Sequence, residues 1–391
     1  MKLNTLELFS GVGGLALGLH QAGFRPKALV ELDTRCIETL KKNIGIGRPF
    51  PMDTALIGGD IRKLDFRKFA GKVHLISGGP PCQPFSVGGR GAAYSDSRNM
   101  FPEAIRAVAE TMPLAFFFEN VPGLTQKKNK HYFEYLLRFL KTPAAKPAVA
   151  MNWQEHDNLL RSQQTSDPAS TSGYSVYTAL VNAADYGIPQ VRRRLFIAGI
   201  RRDLGLDWQF PAPTHSASAL ENYKSTGGYW ARHGQSAANY QSETAYKSRD
   251  PESLDDLQPW RTIRDSVSDL GQPRMGVCFE DFEGLNGHTL HPGARSYDGH
   301  TGSTLDHPSK TLKAGVHGVP GGENMVVLDD GTVRYLTIRE CARIQSFPDH
   351  FLFTEAWSSS MRQIGNAVPP HLAYALAAKL CVALTPHAHK L

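Results

Sequence analysis

Residues 5–14 read TLELFSGVGG, a short apolar run that ends in a turn with three glycines. The run has the length of a buried strand, and residues 13–21 have the apolar spacing that is typical of a helix. Glycine at such a turn lets the backbone approach a nucleotide-like ligand and directs the N-terminus of the helix towards it. The stretch therefore predicts a strand–turn–helix unit that binds a nucleotide-like cofactor.

Two acidic residues follow the turn at positions suited to a nucleoside. Glu31 ends the second predicted strand about twenty positions later, where a carboxylate binds ribose hydroxyl groups. Asp60 ends another short apolar stretch, where it either accepts a hydrogen bond from an adenine amino group or caps a turn. Residues 11–16, GVGGLA, also fit the dinucleotide fingerprint, so a nicotinamide-dependent dehydrogenase is still open at this point.

Strand-like and helix-like stretches alternate through the first 140 residues at the spacing of βα units. A helix is predicted from Thr34, which is expected to be its N-cap, to about Asn43. Further strands are predicted at 28–32, 73–77, 114–118, 176–182 and 195–200. This alternation predicts an α/β fold, in which helices cover both faces of a doubly wound, mostly parallel sheet. Ligands of such folds bind at the carboxyl ends of the strands.

Composition divides the chain into residues 1–202, 203–330 and 331–391. The first part contains the predicted sheet, apart from residues 141–172, whose Ala, Pro, Ser and Gln content predicts an insertion or a loop. The second part is rich in Gly, His, Ser, Tyr and Pro, which predicts a smaller, irregular domain. The third part has helical patterning and is expected to return to the first domain.

The overall composition excludes several classes of protein. With 391 residues, 41% hydrophobic and 20% charged, the chain has material for a core and is not intrinsically disordered. No run approaches about 18 consecutive apolar residues and no signal peptide is evident, so we expect a cytoplasmic protein without a membrane partner. The five cysteines are scattered without a Cys-x-x-Cys pair, which argues against disulfides and a zinc site. A net charge of +6 favours a polyanionic partner.

The strongest chemical signal is residues 78–86, GGPPCQPFS, which directly follow a predicted strand. That strand delivers Cys82 to the carboxyl edge of the sheet, and the neighbouring prolines restrict its backbone. A cysteine near cationic groups or a helix N-terminus is a thiolate nucleophile at neutral pH. The glycine-rich stretch at 87–93 is a loop that can close over a substrate. The other cysteines are interpreted as packing residues: Cys36, Cys278, Cys341 and Cys381.

Charged residues at two other strands complete the candidate chemistry. Glu119 ends a strand with three phenylalanines, and such surroundings favour a carboxyl group that holds or donates a proton near neutral pH. Residues 190–194, QVRRR, precede another strand, so Arg192 and Arg194 project in one direction and Arg193 in the opposite one. Two aligned guanidinium groups suit a phosphate, a base carbonyl or a carboxylate.

Six motifs, in this order along the chain, resemble those of the cytosine-5 DNA methyltransferase family. They are a cofactor loop at 9–14, a nucleophile motif at 80–86, a glutamate motif at 119–121, paired arginines at 190–194, a supporting helix at 334–347 and a closing motif at 363–369. The resemblance is good over 3–200 and 308–380 and loose over 141–172 and 203–300. It implies the sheet of S-adenosylmethionine-dependent methyltransferases, with a smaller target-recognition domain at 203–330.

The resemblance also implies a role for each catalytic side chain. Cys82 would add to carbon 6 of a cytosine while protonated Glu119 binds nitrogen 3. Arg194 would contact the exocyclic oxygen, and Arg192 would support the glutamate and the phosphates. Because this chemistry cannot take place inside a duplex, the target base of the double-stranded DNA must be flipped out.

The implied cofactor is S-adenosylmethionine, which becomes S-adenosylhomocysteine, and no metal is expected. Phe9 would face the adenine or the sulfonium group, and Asn366 would cover the methionine end. The expected cofactor-binding residues are Phe9, Gly11, Gly13, Gly14, Glu31, Asp60, Ile61, Pro80, Asn366 and Ala367. The expected DNA-binding residues are Gln83, Ser86, Arg90, Thr311 and Leu312.

Three alternatives share parts of this pattern. A tRNA cytosine-5 methyltransferase has the same catalytic motifs but usually a reduced recognition domain, so the long segment at 203–330 favours DNA. A non-catalytic DNA-binding regulator would not need the complete set of chemical residues. A dehydrogenase explains the turn and Glu31 but leaves the motifs around Cys82 and Glu119 without a role. We therefore expect a monomeric DNA methyltransferase, which a host could pair with a cognate restriction endonuclease.

Overall fold

The computed structural model describes residues 2–81, 99–148, 151–166, 173–236, 256–273, 275, 286–314, 324–353 and 356–391. The chain divides into two compact units. The first unit spans residues 1–181, 193–210 and 373–391, and the second spans residues 182–192 and 211–372. The chain thus enters the second unit twice. The roles that the sequence assigns to these parts stay predictions.

Seven strands of the first unit form one sheet in the order β3-β2-β1-β4-β5-β7-β6. These strands are β1 (Asn4–Leu8), β2 (Arg25–Glu31), β3 (Ala55–Gly58), β4 (Leu75–Gly78), β5 (Ala115–Asn120), β6 (Tyr174–Asn182) and β7 (Arg193–Arg201). The first five are parallel to one another, and β7 runs antiparallel to β5. The predicted α/β fold with a mostly parallel sheet is confirmed.

The register of the sheet brings several strand ends to one edge. Leu8 lies opposite both Val30 and Gly78, and Gly78 lies opposite Phe118. β5 is strongly apolar because it lies in the middle of the sheet, and its three phenylalanines are fully buried. The residues that follow β1, β2, β3, β4 and β5 therefore share the carboxyl edge.

Residues 1–181 of the first unit contain the helices α1 (Gly14–Gln21), α2 (Thr34–Lys42), α3 (Phe101–Thr111), α4 (Lys130–Lys141) and α5 (Trp153–Ser166). The N-cap of α2 is Asp33 and not Thr34, because the Asp33 carboxylate accepts a hydrogen bond from the N–H of Arg35. Aspartate is among the strongest N-cap residues, so the cap lies one residue earlier than the predicted Thr34.

Helix α5 lies within residues 141–172, for which the sequence predicted an insertion or a loop, and the loop alternative is wrong over Trp153–Ser166. Asn152 Oδ1 accepts a hydrogen bond from the N–H of Glu155, and Glu155 Oε2 accepts one from the N–H of Asn152, each at 2.9 Å. This reciprocal cap starts the helix despite its weak apolar periodicity. The helix then packs on α4, where the Trp153 and Tyr132 rings meet edge-on with centroids 5.5 Å apart.

The second unit consists of short, irregular elements. Its helices are α6 (Ala217–Ser225), α7 (Gly228–Arg232), α8 (Ile263–Val267), α9 (Ile338–Ile344), α10 (Trp357–Asn366) and the first residues of α11 (Pro370–Leu384). Strand β8 (His215–Ser216) pairs with β9 (Gln258–Pro259), and β10 (Ser303–Thr304), β11 (Met325–Val327) and β12 (Val333–Tyr335) form a three-stranded sheet. Thr337 and Glu340 form a capping box that starts α9 near the predicted position.

Among the described residues, the stretch Trp357–His387 is long and apolar enough to cross a membrane. Most of its apolar window is buried inside the protein, which is also typical of a core helix.

Two of the cysteines interpreted as packing residues, Cys341 and Cys381, are buried, and Cys36 is half-buried. Burial raises the pKa of the Cys341 thiol and of the Cys381 thiol, so both groups stay protonated. Cys278 lies outside the described residues.

Candidate active site

The turn between β1 and α1 has the backbone that a glycine-rich loop requires. Phe9, Gly11 and Gly13 have positive φ angles of 54°, 55° and 79°. Glycine adopts such angles without strain, whereas phenylalanine does so only where the surrounding structure imposes it. A Cβ atom at Gly13 would lie 2.7 Å from Phe50 Cζ, so this position also has no room for a side chain. At Gly11 a Cβ atom would meet no described atom within 4 Å, which leaves the space beside the turn open to a ligand.

Glu31, at the end of β2, closes this turn. Its Oε2 atom accepts a hydrogen bond from the N–H of Gly11 at 2.6 Å, and its Oε1 atom accepts from the N–H groups of Leu32 and Asp33 at 2.8 Å. These bonds hold the carboxylate between the glycine turn and the start of α2. Oε1 already accepts two hydrogen bonds, whereas Oε2 accepts one and has a second lone pair for a ribose hydroxyl group.

Glu7, in β1, is a buried carboxyl group that was not predicted from the sequence. It is 1% exposed, and it accepts hydrogen bonds from the Ser77 hydroxyl at 3.2 Å and from the backbone at Ala16. Burial raises the pKa of Glu7 to about 8, so the group holds a proton at neutral pH. The sequence signal that could have revealed Glu7 is an acidic residue between two leucines of a predicted buried strand.

Asp60 follows β3 and caps the short helical segment Ile61–Lys63 by accepting from the N–H of Arg62. Its carboxylate also pairs with the Arg62 guanidinium at 2.6 Å, and these hydrogen bonds lower the pKa of Asp60 to about 2. The sequence left two roles open for Asp60, capping a turn and binding adenine, and the structure contains the capping hydrogen bond. The Asp60 side chain stays 24% exposed, whereas Ile61 is buried.

Arg106, on α3, fixes this segment and was also not predicted. Its guanidinium donates to the carbonyl groups of Ile61 at 2.9 Å and Leu64 at 3.0 Å. It also lies 4.5 Å from the centroid of the Phe66 ring. The local pattern shows only its ion pairs with Glu103 and Glu110, because the carbonyl groups that it binds belong to a segment about 40 residues earlier.

Pro80 is buried two residues after β4, and its carbonyl oxygen accepts a hydrogen bond from Asn120 Nδ2 at 2.9 Å. Asn120 Oδ1 in turn accepts from the N–H of Val121 at 2.9 Å. The start of the nucleophile motif is therefore tied to the end of β5. Four predicted site residues of this motif and its loop lie outside the described residues: Cys82, Gln83, Ser86 and Arg90.

Glu119, at the end of β5, is paired with Arg194, in β7. Arg194 Nε lies 2.8 Å from Glu119 Oε1, and the two side chains are 15% and 12% exposed. Burial lowers the pKa of Arg194, while the Glu119 carboxylate acts in the opposite direction. A Cβ atom at Gly79 would lie 3.3 Å from Glu119 Oε2, so the glutamate also borders the chain that leads to Cys82. The carboxyl edge thus carries an oriented acid beside Gly79, the residue that precedes the nucleophile motif.

Arg192 belongs to the second unit, where it holds residues 364–367, which we call the closing turn. Its side chain is 1% exposed, and its Nη2 atom donates to the carbonyl groups of Gly365 at 2.8 Å and Ala367 at 2.9 Å. Between these two buried residues Asn366 is exposed. The role of Arg192 towards Glu119 stays a prediction.

The predicted DNA-binding pair lies in residues 309–313, which we call the recognition segment. Thr311 is half-buried, and its hydroxyl group donates to the carbonyl of Val191 at 2.7 Å. Leu312 is 1% exposed, so its side chain packs inside the unit. The segment passes close to the closing turn, because a Cβ atom at Gly365 would lie 2.5 Å from the carbonyl group of Lys313.

The model of the C-5 cytosine-specific DNA methylase family matches residues 3–142 and 152–381. The chain belongs to this family. The expected family and the expected enzyme class, a DNA (cytosine-5-)-methyltransferase, are therefore confirmed. Membership of this methylase family also implies S-adenosylmethionine as the methyl donor.

This methylase resembles bacterial relatives over nearly its whole length. It is 30% identical to the Type II methyltransferase M.Eco47II of Escherichia coli, over 95% of this chain and 77% of the relative. It is 28% identical to M.NgoMIV of Neisseria gonorrhoeae, over 98% and 99% of the two chains. It shares its fold with a DNA modification methyltransferase encoded within an E. coli prophage, with a TM-score of 0.58 at 24% identity over 98% of this chain and 99% of that one.

Proposed function

We propose that this methylase transfers a methyl group from S-adenosylmethionine to carbon 5 of a flipped-out cytosine in a specific short site of double-stranded DNA, through a covalent adduct with Cys82. The observation that carries the proposal is the pairing of Glu119 with Arg194 at the end of β5. An acid oriented by a guanidinium, on the strand next to the one that leads to the cysteine, is what the reaction needs at nitrogen 3 of the base.

Carbon 5 of cytosine is too weak a nucleophile to take a methyl group directly, so the ring is activated first. The Cys82 thiolate adds to carbon 6, and Glu119 holds a proton at nitrogen 3, so the electron pair is available at carbon 5. Arg194 binds the exocyclic oxygen, and Arg192 supports this arrangement. After methyl transfer, loss of the proton from carbon 5 restores the double bond and expels the Cys82 thiolate.

The residues along the carboxyl edge fit the cofactor. The open space at Gly11 suits the close approach of a ligand, and Glu31 offers its carboxylate to a ribose hydroxyl. The partly exposed Asp60 carboxylate is proposed to accept from an adenine amino group. Phe9 offers an aromatic ring to the adenine or the sulfonium. S-adenosylmethionine supplies the methyl group when it is bound. The remaining proposed cofactor contacts are Gly13, Gly14, Ile61, Pro80, Asn366 and Ala367.

The proposed substrate is double-stranded DNA, with contacts from Gln83, Ser86, Arg90, Thr311 and Leu312. The printed names of the relatives are those of Type II methyltransferases. We therefore propose that the protein acts in the cytoplasm as a monomer, without a metal, and protects DNA from a cognate restriction endonuclease.

Trapping the covalent intermediate tests this function. The methylated site is first located by bisulfite sequencing of plasmid from cells that express the protein. Duplex DNA with 5-fluorocytosine at that site, incubated with S-adenosylmethionine, should then give a denaturation-resistant adduct, because fluorine cannot leave carbon 5 as a proton does. One adduct per chain is expected.

Three controls make this result specific. The adduct should be absent in Cys82→Ala, persist in Cys36→Ala, and not form when S-adenosylhomocysteine replaces the methyl donor. Trapping on fluorinated tRNA and on no DNA would assign the enzyme to the tRNA branch. Absence of any adduct from folded, cofactor-bound protein would contradict the mechanism.

A further inference from the structure

Two buried glutamines of the second unit are joined through their side-chain amides. Gln190 and Gln345 are 155 residues apart in the sequence, and each is 0% exposed. Gln190 Nε2 donates a hydrogen bond to Gln345 Oε1. Neither residue has a role in the reaction proposed above.

The two ends of this pair are bonded to the backbone of two other motifs. The N–H of Leu312, in the recognition segment, donates to Gln190 Oε1 at 3.1 Å. Gln345 Nε2 donates to the carbonyl groups of Ile364 and Ala367, in the closing turn, at 3.1 and 2.6 Å. A continuous chain of hydrogen bonds therefore runs from the recognition segment to the closing turn.

The backbone groups at both ends determine the direction of every bond in this chain. A backbone N–H group only donates, so Gln190 turns its oxygen to Leu312 and its nitrogen to Gln345. Backbone carbonyl groups only accept, so Gln345 turns its nitrogen to the closing turn and its oxygen to Gln190. Reversing either amide would leave buried polar groups unpaired, which is destabilising.

Displacement of one end of this chain of hydrogen bonds affects the other end, because a lost bond leaves a buried polar group without its partner.

A second connection joins the recognition segment to the closing turn. The N–H of Val191 donates to the carbonyl of Ser309 at 2.8 Å, and the next residue, Arg192, binds Gly365 in the closing turn. The recognition segment and the closing turn are thus held in one relative position by buried groups.

We propose that Gln345 is a positioning residue that acts through Gln190 to couple the recognition segment to the closing turn, so that target DNA and cofactor each favour binding of the other. The inference rests on the proposed function, which assigns Thr311 to DNA and Asn366 to the cofactor. Asn366 is exposed, and the carbonyl groups on either side of it are bound by Gln345. Such a coupling is reciprocal by thermodynamic linkage.

The variants Gln345→Met and Gln190→Met test the coupling, since methionine keeps the length of the side chain and removes the amide. The dissociation constant of the target duplex is measured with and without saturating S-adenosylhomocysteine. The wild type should bind the duplex at least about fivefold more tightly with S-adenosylhomocysteine present. Both variants should give a ratio close to one, while the affinity for S-adenosylhomocysteine alone changes less than about threefold.

Two further variants serve as controls. The double variant should lose no more coupling than either single variant, because one break already interrupts the chain. Gln272→Met, at an exposed position of the same unit, should keep the wild-type ratio. A purely structural role of Gln345 would lower the melting temperature and leave the ratio unchanged, which would overturn the proposal. A wild-type ratio of one would overturn it too.

Hydrogen exchange of the wild type tests the proposal even where neither variant folds. S-adenosylhomocysteine alone should slow exchange of the Leu312 amide, because that N–H group is the first donor of the chain. An unchanged exchange rate at saturation would overturn the coupling. Failure of the wild type to bind S-adenosylhomocysteine, or to form the Cys82 adduct, would instead contradict the proposed function.

Discussion

Arg194 Nε lies 2.8 Å from Glu119 Oε1, at the end of β5, with both side chains largely buried. The guanidinium thereby fixes the orientation of the carboxylate. In the proposed reaction Glu119 must hold a proton at nitrogen 3 of the base, while Arg194 binds the exocyclic oxygen. Arrival of the target base therefore has to exchange the Arg194–Glu119 contact for contacts with cytosine.

We expect Glu119→Gln to lower kcat by about 10²- to 10⁴-fold, because the amide cannot deliver a proton to nitrogen 3. Single-turnover methylation of the target duplex measures the effect, and calorimetry should show an unchanged affinity for S-adenosylhomocysteine. Glu134→Gln, the same change on α4, is the matched control and should keep the wild-type rate. A wild-type rate in Glu119→Gln would mean that the proton comes from another group.

Two neighbouring glycines should respond differently to alanine. At Gly79 the new Cβ atom would lie 3.3 Å from Glu119 Oε2, so Gly79→Ala should displace the carboxylate slightly and lower kcat roughly three- to tenfold. At Gly78 the new Cβ atom would lie 2.4 Å from the Leu8 carbonyl oxygen, so Gly78→Ala should destabilise the sheet itself. Thermal melting and steady-state kinetics separate the two effects. Equal losses of stability in both variants would contradict the assigned contact of Gly79.

Glu7 should make the stability of the protein fall as the pH rises. Its pKa is about 8 in the folded protein against an ordinary value of 4.5, so folding takes up a proton between these pH values. The contribution of this proton uptake to the free energy of unfolding is complete below about pH 4.5 and is lost by about pH 8. Between these values the free energy of unfolding falls by at most about 1.4 kcal/mol per pH unit.

Glu7→Gln keeps a neutral group of the same shape and should remove this dependence. The melting temperature of the variant relative to wild type should therefore rise between about pH 5 and pH 8. Glu38→Gln, at an exposed position on α2, should leave the wild-type pH dependence unchanged. Parallel melting curves for Glu7→Gln and wild type across this range would show that Glu7 titrates normally.

Binding of the target duplex should weaken steeply with salt, because DNA binding by a chain with a net charge of +6 releases counterions. With roughly five phosphate contacts, the slope of log K against log salt concentration should be about −4 to −5. Fluorescence anisotropy at four or more salt concentrations measures it. A flat response would argue against DNA as the substrate.

Local sequence signals predicted those parts of the structure that depend on neighbouring residues. The apolar run and glycines of residues 5–14 predicted β1, the turn and α1, because strand length and helical spacing are visible within about ten residues. Helix α5 was missed although its Asn152–Glu155 cap is also local, since the weak apolar periodicity was given more weight than the capping pair. Asp33 was missed as the cap of α2 because the next residue, Thr34, is also of a preferred N-cap type.

By itself, the sequence determined the fold class, the family and the order of the motifs, because periodicity, glycine turns and motif spacing are properties of short stretches. The tertiary structure alone decided which side chains meet across long separations. Gln190 finds Gln345 155 residues away, Arg192 finds Gly365, and Glu7 is enclosed with Ser77. Buried polar groups need hydrogen-bond partners, and a side chain meets this need with whichever group the packed core brings next to it. Such pairs therefore depend on the whole fold and not on neighbouring residues in the sequence.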